Sequence, residues 1–110
     1  MSTELSPLVR TLFRIDYARK TFLHLYQKQE NSKRTGQHFV GLTLNDWASE
    51  SSTMYGMTRS LFIEYIAVME KLGLVAQDSS RTRFTVTEAG YKAASSLEAE
   101  KRLDSIEREL

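Results

Sequence analysis

The chain has no cysteine among its 110 residues, which removes disulfides, thiolate metal ligands and cysteine nucleophiles together. No apolar run approaches the roughly 20 residues that a helix needs to cross a bilayer. Met1-Ser2-Thr3-Glu4 is not a basic segment leading into an apolar one, so no signal peptide is read and a cytoplasmic protein is expected. Catalytic signatures are missing too: there is no Gly-rich phosphate loop, no Ser/His/Asp set and no nucleophile elbow. The two histidines, His24 and His38, have no cysteine or carboxylate at ligand spacing, and His24 reads as a flank of an apolar helix face. Carboxylates at i, i+2, such as Glu98 with Glu100 or Glu107 with Glu109, point to different helix faces and read as solvation. No catalysis, no metal and no cofactor is expected.

What remains is the composition of an ordinary globular protein, 41% hydrophobic and 26% charged, at a length that suits one domain. The net charge of +1 is unevenly spread. Residues 1–41 carry seven Lys/Arg against three Asp/Glu; residues 42–90 carry four against six; residues 91–110 carry four against five. Positive charge therefore gathers in the N-terminal segment, through Arg10, Arg14, Arg19, Lys20, Lys28, Lys33 and Arg34.

Hydrophobic spacing and capping residues divide the chain. Ser6-Pro7 starts a helix that the apolar stripe Leu8, Leu12, Ile15, Phe22 and Tyr26 carries to about residue 30. A polar, basic loop from Asn31 to Gln37 follows, then a short edge strand over His38–Leu42. Thr43, with Asp46 three residues on, caps a short helix over Leu44–Glu50 that turns Trp47 and Ala48 inward. Ser51–Met57 reads as an enlarged turn rich in hydroxyls. Thr58 caps the next helix, and Gly73 closes it. Leu74–Gln77 and Arg81–Val86 form a hairpin with Asp78-Ser79-Ser80 at its tip. Thr87 caps a last helix, in which Ala99, Leu103, Ile106 and Leu110 keep the 4-3-4 spacing of a helix–helix seam.

Three segments carry a resemblance. They are Leu42-Thr43-Leu44-Asn45-Asp46-Trp47-Ala48; Phe62, Tyr65, Ile66 and Met69 followed by Glu70-Lys71-Leu72-Gly73-Leu74-Val75; and Phe84-Thr85-Val86-Thr87-Glu88-Ala89-Gly90. Together they cover about half the chain and resemble the winged helix-turn-helix superfamily, most of all its MarR-type regulators. The resemblance implies a mainly α (α+β) fold with a two-stranded wing and long N- and C-terminal helices. As one domain over 1–110, it divides into an N-terminal helix (6–30), the helix-turn-helix and wing (39–87) and a C-terminal dimerisation helix (88–110). It also implies a dimeric transcriptional regulator bound to double-stranded DNA, associated with the nucleoid.

On that pattern, the leading end of the helix at Thr58 enters the major groove. Arg59 and Ser60 face base edges, and Ile63 meets a thymine methyl. Ser52, Thr53, Tyr55 and Thr58 reach phosphates through hydroxyls and the helix N-terminus. Arg81 and Arg83, placed by alternation on one strand face, anchor the wing, and Lys33 and Arg34 lie on a loop near the backbone. Leu8, Leu12, Ile15, Ala99, Leu103, Ile106 and Leu110 are the expected dimer contacts. Two rival readings stand beside this one. A protein-interaction module that never touches nucleic acid is favoured by the acidic balance of residues 42–90, by Glu64, and by Leu61, Ile63 and Val68 on the outer helix face. A small-molecule effector sensor needs a cavity lined by Phe13, Tyr17, Phe22 and Tyr26, an aromatic stripe that reads more simply as core.

Overall fold

In the computed structural model, which describes residues 6–109, five helices and one three-stranded antiparallel sheet give a mainly helical α+β architecture among the described residues. The order is α1 (Pro7–Phe13), α2 (Asp16–Arg34), β1 (Leu42–Thr43), α3 (Leu44–Tyr55), α4 (Arg59–Lys71), β2 (Val75–Gln77), β3 (Arg83–Val86) and α5 (Glu88–Glu109). Four helix starts lie where the sequence puts them. The hydroxyls of Ser6, Thr43, Thr58 and Thr87 accept from the backbone N–H of Val9, Asp46, Leu61 and Gly90, each three residues on. Each satisfies a donor that the first turn leaves unpaired, worth about 1 kcal/mol.

Several boundaries differ from the sequence expectation. The N-terminal helix does not run unbroken over 6–30, because Ile15 is extended (φ −81°, ψ 113°) and ends α1. Arg19 Nη1 donates to the Phe13 carbonyl at 3.1 Å, capping the break, and the corner lets Phe13 stack 5.0 Å from Phe22. A straight helix would carry Val9, Leu12 and Phe13 away from the core they occupy. Next, Asn31–Arg34 is not loop but the last turn of α2, which Gly36 (φ +74°) terminates. Finally, Ser51–Tyr55 continues α3 rather than forming an enlarged turn. Ser51 is fully buried there, and Gly56 in the left-handed region (φ +70°) closes the helix by donating to the Ser52 carbonyl. The edge strand is also shorter than His38–Leu42 and comprises Leu42–Thr43 alone.

The sheet runs β1-β3-β2, with Leu42 opposite Phe84 and Val75 opposite Val86. β1 ends its pairing at Phe84, and beyond it a side chain takes over. Val86 N donates to Gln29 Oε1 at 2.8 Å, and Gln29 Nε2 donates back to Val86 O at 3.2 Å. The core lies between this sheet and the helices. Trp47, fully buried, sets its ring edge-on to Phe62 (5.3 Å, 84°) and tilted to Phe84 (5.6 Å), while its Nε1–H donates to the Thr21 carbonyl at 3.1 Å. One indole thus joins α2, α3, α4 and β3.

α5 begins against the hairpin, where Gly90 lies so close to β2 that an added Cβ would stand 2.2 Å from the Leu74 carbonyl oxygen. Ala93 and Ala94 are buried and Leu97 packs on the core. From residue 98 to residue 109 every position is exposed except half-buried Glu100, which meets Arg10 of α1 at 3.3 Å.

Candidate nucleic-acid interface

α3 and α4 are joined by three residues, Gly56-Met57-Thr58. Met57 is buried and pins this turn from below, its sulfur accepting from Thr21 Oγ1 at 3.5 Å. α4 then presents two different faces. Phe62, Ile66 and Met69 are buried, and Tyr65 and Leu61 are half-buried against the core. The opposite face carries Ser60, Ile63, Glu64, Ala67 and Lys71, all exposed. At its leading end Thr58, Arg59 and Ser60 are uncovered by other parts of the chain. Leu61, expected on the outer face, leans inward; Ile63 and Val68 remain out, at 42% and 43% exposure.

Arg59 is not free to swing. Its Nη2 donates to Asn45 Oδ1 at 2.8 Å, which aims the guanidinium across the first turn of α3. The sequence gives no sign of this contact, because only the packing of α3 on α4 brings Asn45 near. Ser52 and Thr53 are exposed, but on the surface of α3 rather than in a turn. Tyr55 is half-buried, its ring T-shaped to that of His24 with centroids 6.1 Å apart, so it belongs to the α2–α3 contact.

The hairpin does not place Arg81 and Arg83 side by side on one strand. β3 starts at Arg83, and Arg81 lies in the turn with φ +58°, exposed and without an ion pair among the described residues. The turn is organised by Asp78, whose carboxylate accepts from the backbone N–H of Thr82 at 2.9 Å and Arg83 at 3.3 Å. Those bonds, that from Thr82 foremost, hold its pKa below the usual carboxylate value. Half-buried Arg83 is partly committed, with Nη1 donating to the Gly41 carbonyl at 3.1 Å. Gln77 Nε2 donates to Glu70 Oε2 at 3.0 Å, tying β2 to α4. Of the two basic residues expected on a loop, both lie on α2. Lys33 Nζ sits 4.1 Å over the Tyr91 ring, while Arg34 is exposed and makes no salt bridge among the described residues.

The expected dimer contacts divide. Leu8, Ile15, Ala99, Leu103 and Ile106 are exposed. Leu12 is buried in the chain's own core, turned there by the corner at Ile15, and cannot meet a second copy. Leu110 lies outside the described residues. Phe13, Phe22 and Tyr26 are core rather than a cavity lining, and Tyr17 is exposed. Among the described residues no group of three or more His, Asp or Glu side chains could hold a metal, and no helix is long and apolar enough to cross a membrane. The carboxylate near His24, absent from its sequence neighbourhood, is Glu50 of α3 at 2.8 Å. Comparison of the chain with protein-family models, with curated proteins and with solved structures gives no match.

Proposed function

We propose that the chain is a winged helix-turn-helix protein that binds double-stranded DNA as a homodimer in the cytoplasm and regulates transcription or a related DNA transaction. It is a binding protein, not an enzyme. The observation that carries this reading is the bare leading end of α4. Thr58, Arg59 and Ser60 are exposed on a helix whose other face is fixed in the core, and a three-residue turn anchored by Met57 precedes them. A helix entering a groove about 12 Å wide needs this combination of one anchored face and one uncovered face. The element order α2-β1-α3-α4-β2-β3 with sheet order β1-β3-β2 supports this reading, in which α4 is the recognition helix and the β2–β3 hairpin the wing.

Arg81, exposed in the hairpin turn, is the phosphate anchor in this reading, and Arg83 chiefly supports the wing through Gly41. The exposed Leu103 and Ile106 on the protruding half of α5 supply the seam between two copies. The test is binding to random-sequence duplex at low and moderate salt. Binding that weakens steeply as salt rises is expected, because contacts to phosphates release counterions. Absence of binding at low salt overturns the reading. A protein-binding module is the second reading, drawn from Met54, Ile63 and Val68 standing exposed on α3 and α4. It predicts no salt-dependent retention of DNA.

A further inference from the structure

The outer face of α4 has an unusual chemistry for a surface that meets DNA. Its centre line is small, with Ser60 and Ala67 seven residues apart and both exposed. On either side of that line stand Ile63 and Glu64, also exposed. Small central residues let the helix backbone approach a groove floor closely, which brings the two flanking side chains within reach of base edges. Among the described residues Glu64 makes no hydrogen bond and no ion pair, and the only basic residues of its own helix, Arg59 and Lys71, stand at the two ends of α4. Arg59 is instead directed to Asn45.

A carboxylate entering a groove walled by phosphates is repelled unless it meets a hydrogen-bond donor there. An ionised carboxylate only accepts. In the major groove two bases offer donors, adenine at N6 and cytosine at N4. Adenine sets the N7 acceptor beside its amino group, which opposes a carboxylate approaching N6. Cytosine has no acceptor of its own on that edge.

Resting on the duplex-binding reading above, we infer that Glu64 is a specificity-determining residue that requires a cytosine at one position of each half-site, accepting from its N4 amino group. The same carboxylate lowers affinity for every sequence that lacks a donor there. It therefore sharpens discrimination while weakening non-specific binding.

The experiment is selection from a random duplex library by the full chain, in parallel for the native protein, Glu64→Gln and Glu64→Ala, followed by anisotropy on the enriched sequences. The native protein is expected to enrich a motif with one near-invariant cytosine per half-site. Glu64→Gln should exchange that cytosine for adenine, since a side-chain amide pairs with adenine N6 and N7 together. Glu64→Ala should lose about tenfold in discrimination at that position alone, while random duplex binds equally well or better. Because Glu64 is exposed and unpaired, thermal melts of both variants should match the native protein. If all three proteins enrich one motif, or the native protein binds duplex with salt dependence but enriches none, the inference is overturned and duplex binding stands. If none of them retains DNA at low salt, the duplex-binding reading falls and the inference with it.

Discussion

Glu50 Oε1 lies 2.8 Å from Nε2 of His24, joining α3 to α2 beneath the helix turn. Lys28 Nζ approaches the same oxygen at 2.7 Å. Partial burial raises the Glu50 pKa, but the hydrogen bonds from Lys28 and His24 outweigh it, and the net value lies below its ordinary 4.5. In the unfolded chain that carboxyl binds a proton more readily than in the folded one. Its contribution is therefore complete above about pH 4.5 and is lost as pH falls through the lower folded value. Glu50→Gln should flatten that part of the stability–pH curve, as read by denaturant melts at successive pH values. An acid limb unchanged by the substitution would count against the assignment.

Phe62→Ala should destabilise the fold by about 3–5 kcal/mol, the usual cost of deleting a fully buried aromatic ring. The ring it removes stands edge-on to Trp47. Since Trp47 is the sole tryptophan, its fluorescence follows both the unfolding transition and the local loss of packing. A loss below about 1 kcal/mol would mean that the contact between α3 and α4 is looser than described.

Gly90→Ala should cost about 1–3 kcal/mol or more, because the new methyl meets the Leu74 carbonyl oxygen and Val86 Cγ1, which stand 2.2 and 2.6 Å from its ideal position. The backbone oxygen is held by its bond from Thr87 N–H and cannot yield cheaply. The measurement is a urea midpoint, and a neutral outcome would contradict the close approach of α5 to β2.

On the proposed duplex binding, Arg81→Ala in the β2–β3 turn should reduce the salt slope by about one unit and leave the melting temperature unchanged. Arg83→Ala should instead lower the melting temperature, since it removes the bond to the Gly41 carbonyl. Equal effects of the two on both measurements would remove the distinction between a DNA anchor and a wing support.

Leu103→Glu with Ile106→Glu should yield a monomer in sedimentation, if α5 carries the seam between copies. These residues stand at 64% and 51% exposure on a stretch of α5 that packs on little of its own chain. A helix end of that kind is marginal alone in water, so the same variant should lose helical signal as well. An unaltered sedimentation coefficient would place the seam elsewhere.

Much of this fold was legible because helix starts are local events. Ser6, Thr43, Thr58 and Thr87 each bond an N–H three residues away, and a sequence displays that spacing directly. Helix ends were read less well. The run Ser51-Ser52-Thr53 looks like part of a turn, yet burial of Ser51 and the left-handed Gly56 keep it helical. The corner at Ile15 follows from the drive of Leu12 and Phe13 to reach Phe22, which local spacing does not reveal. Among the candidate interface residues, Thr58 and Ser60 are exposed at the leading end of α4. Arg59, Arg83 and Lys33 are held by Asn45, Gly41 and Tyr91, partners from 14 to 58 positions away.

The amide of Gln29 faces the main chain of Val86 in the manner of one more strand residue. A foreign extended peptide arriving at that border would find its docking groups already occupied. With a single side chain, the chain closes off the flank of the sheet that its two-residue first strand is too short to cover. Replacing Gln29 by leucine would expose that flank to self-association long before it weakened the core.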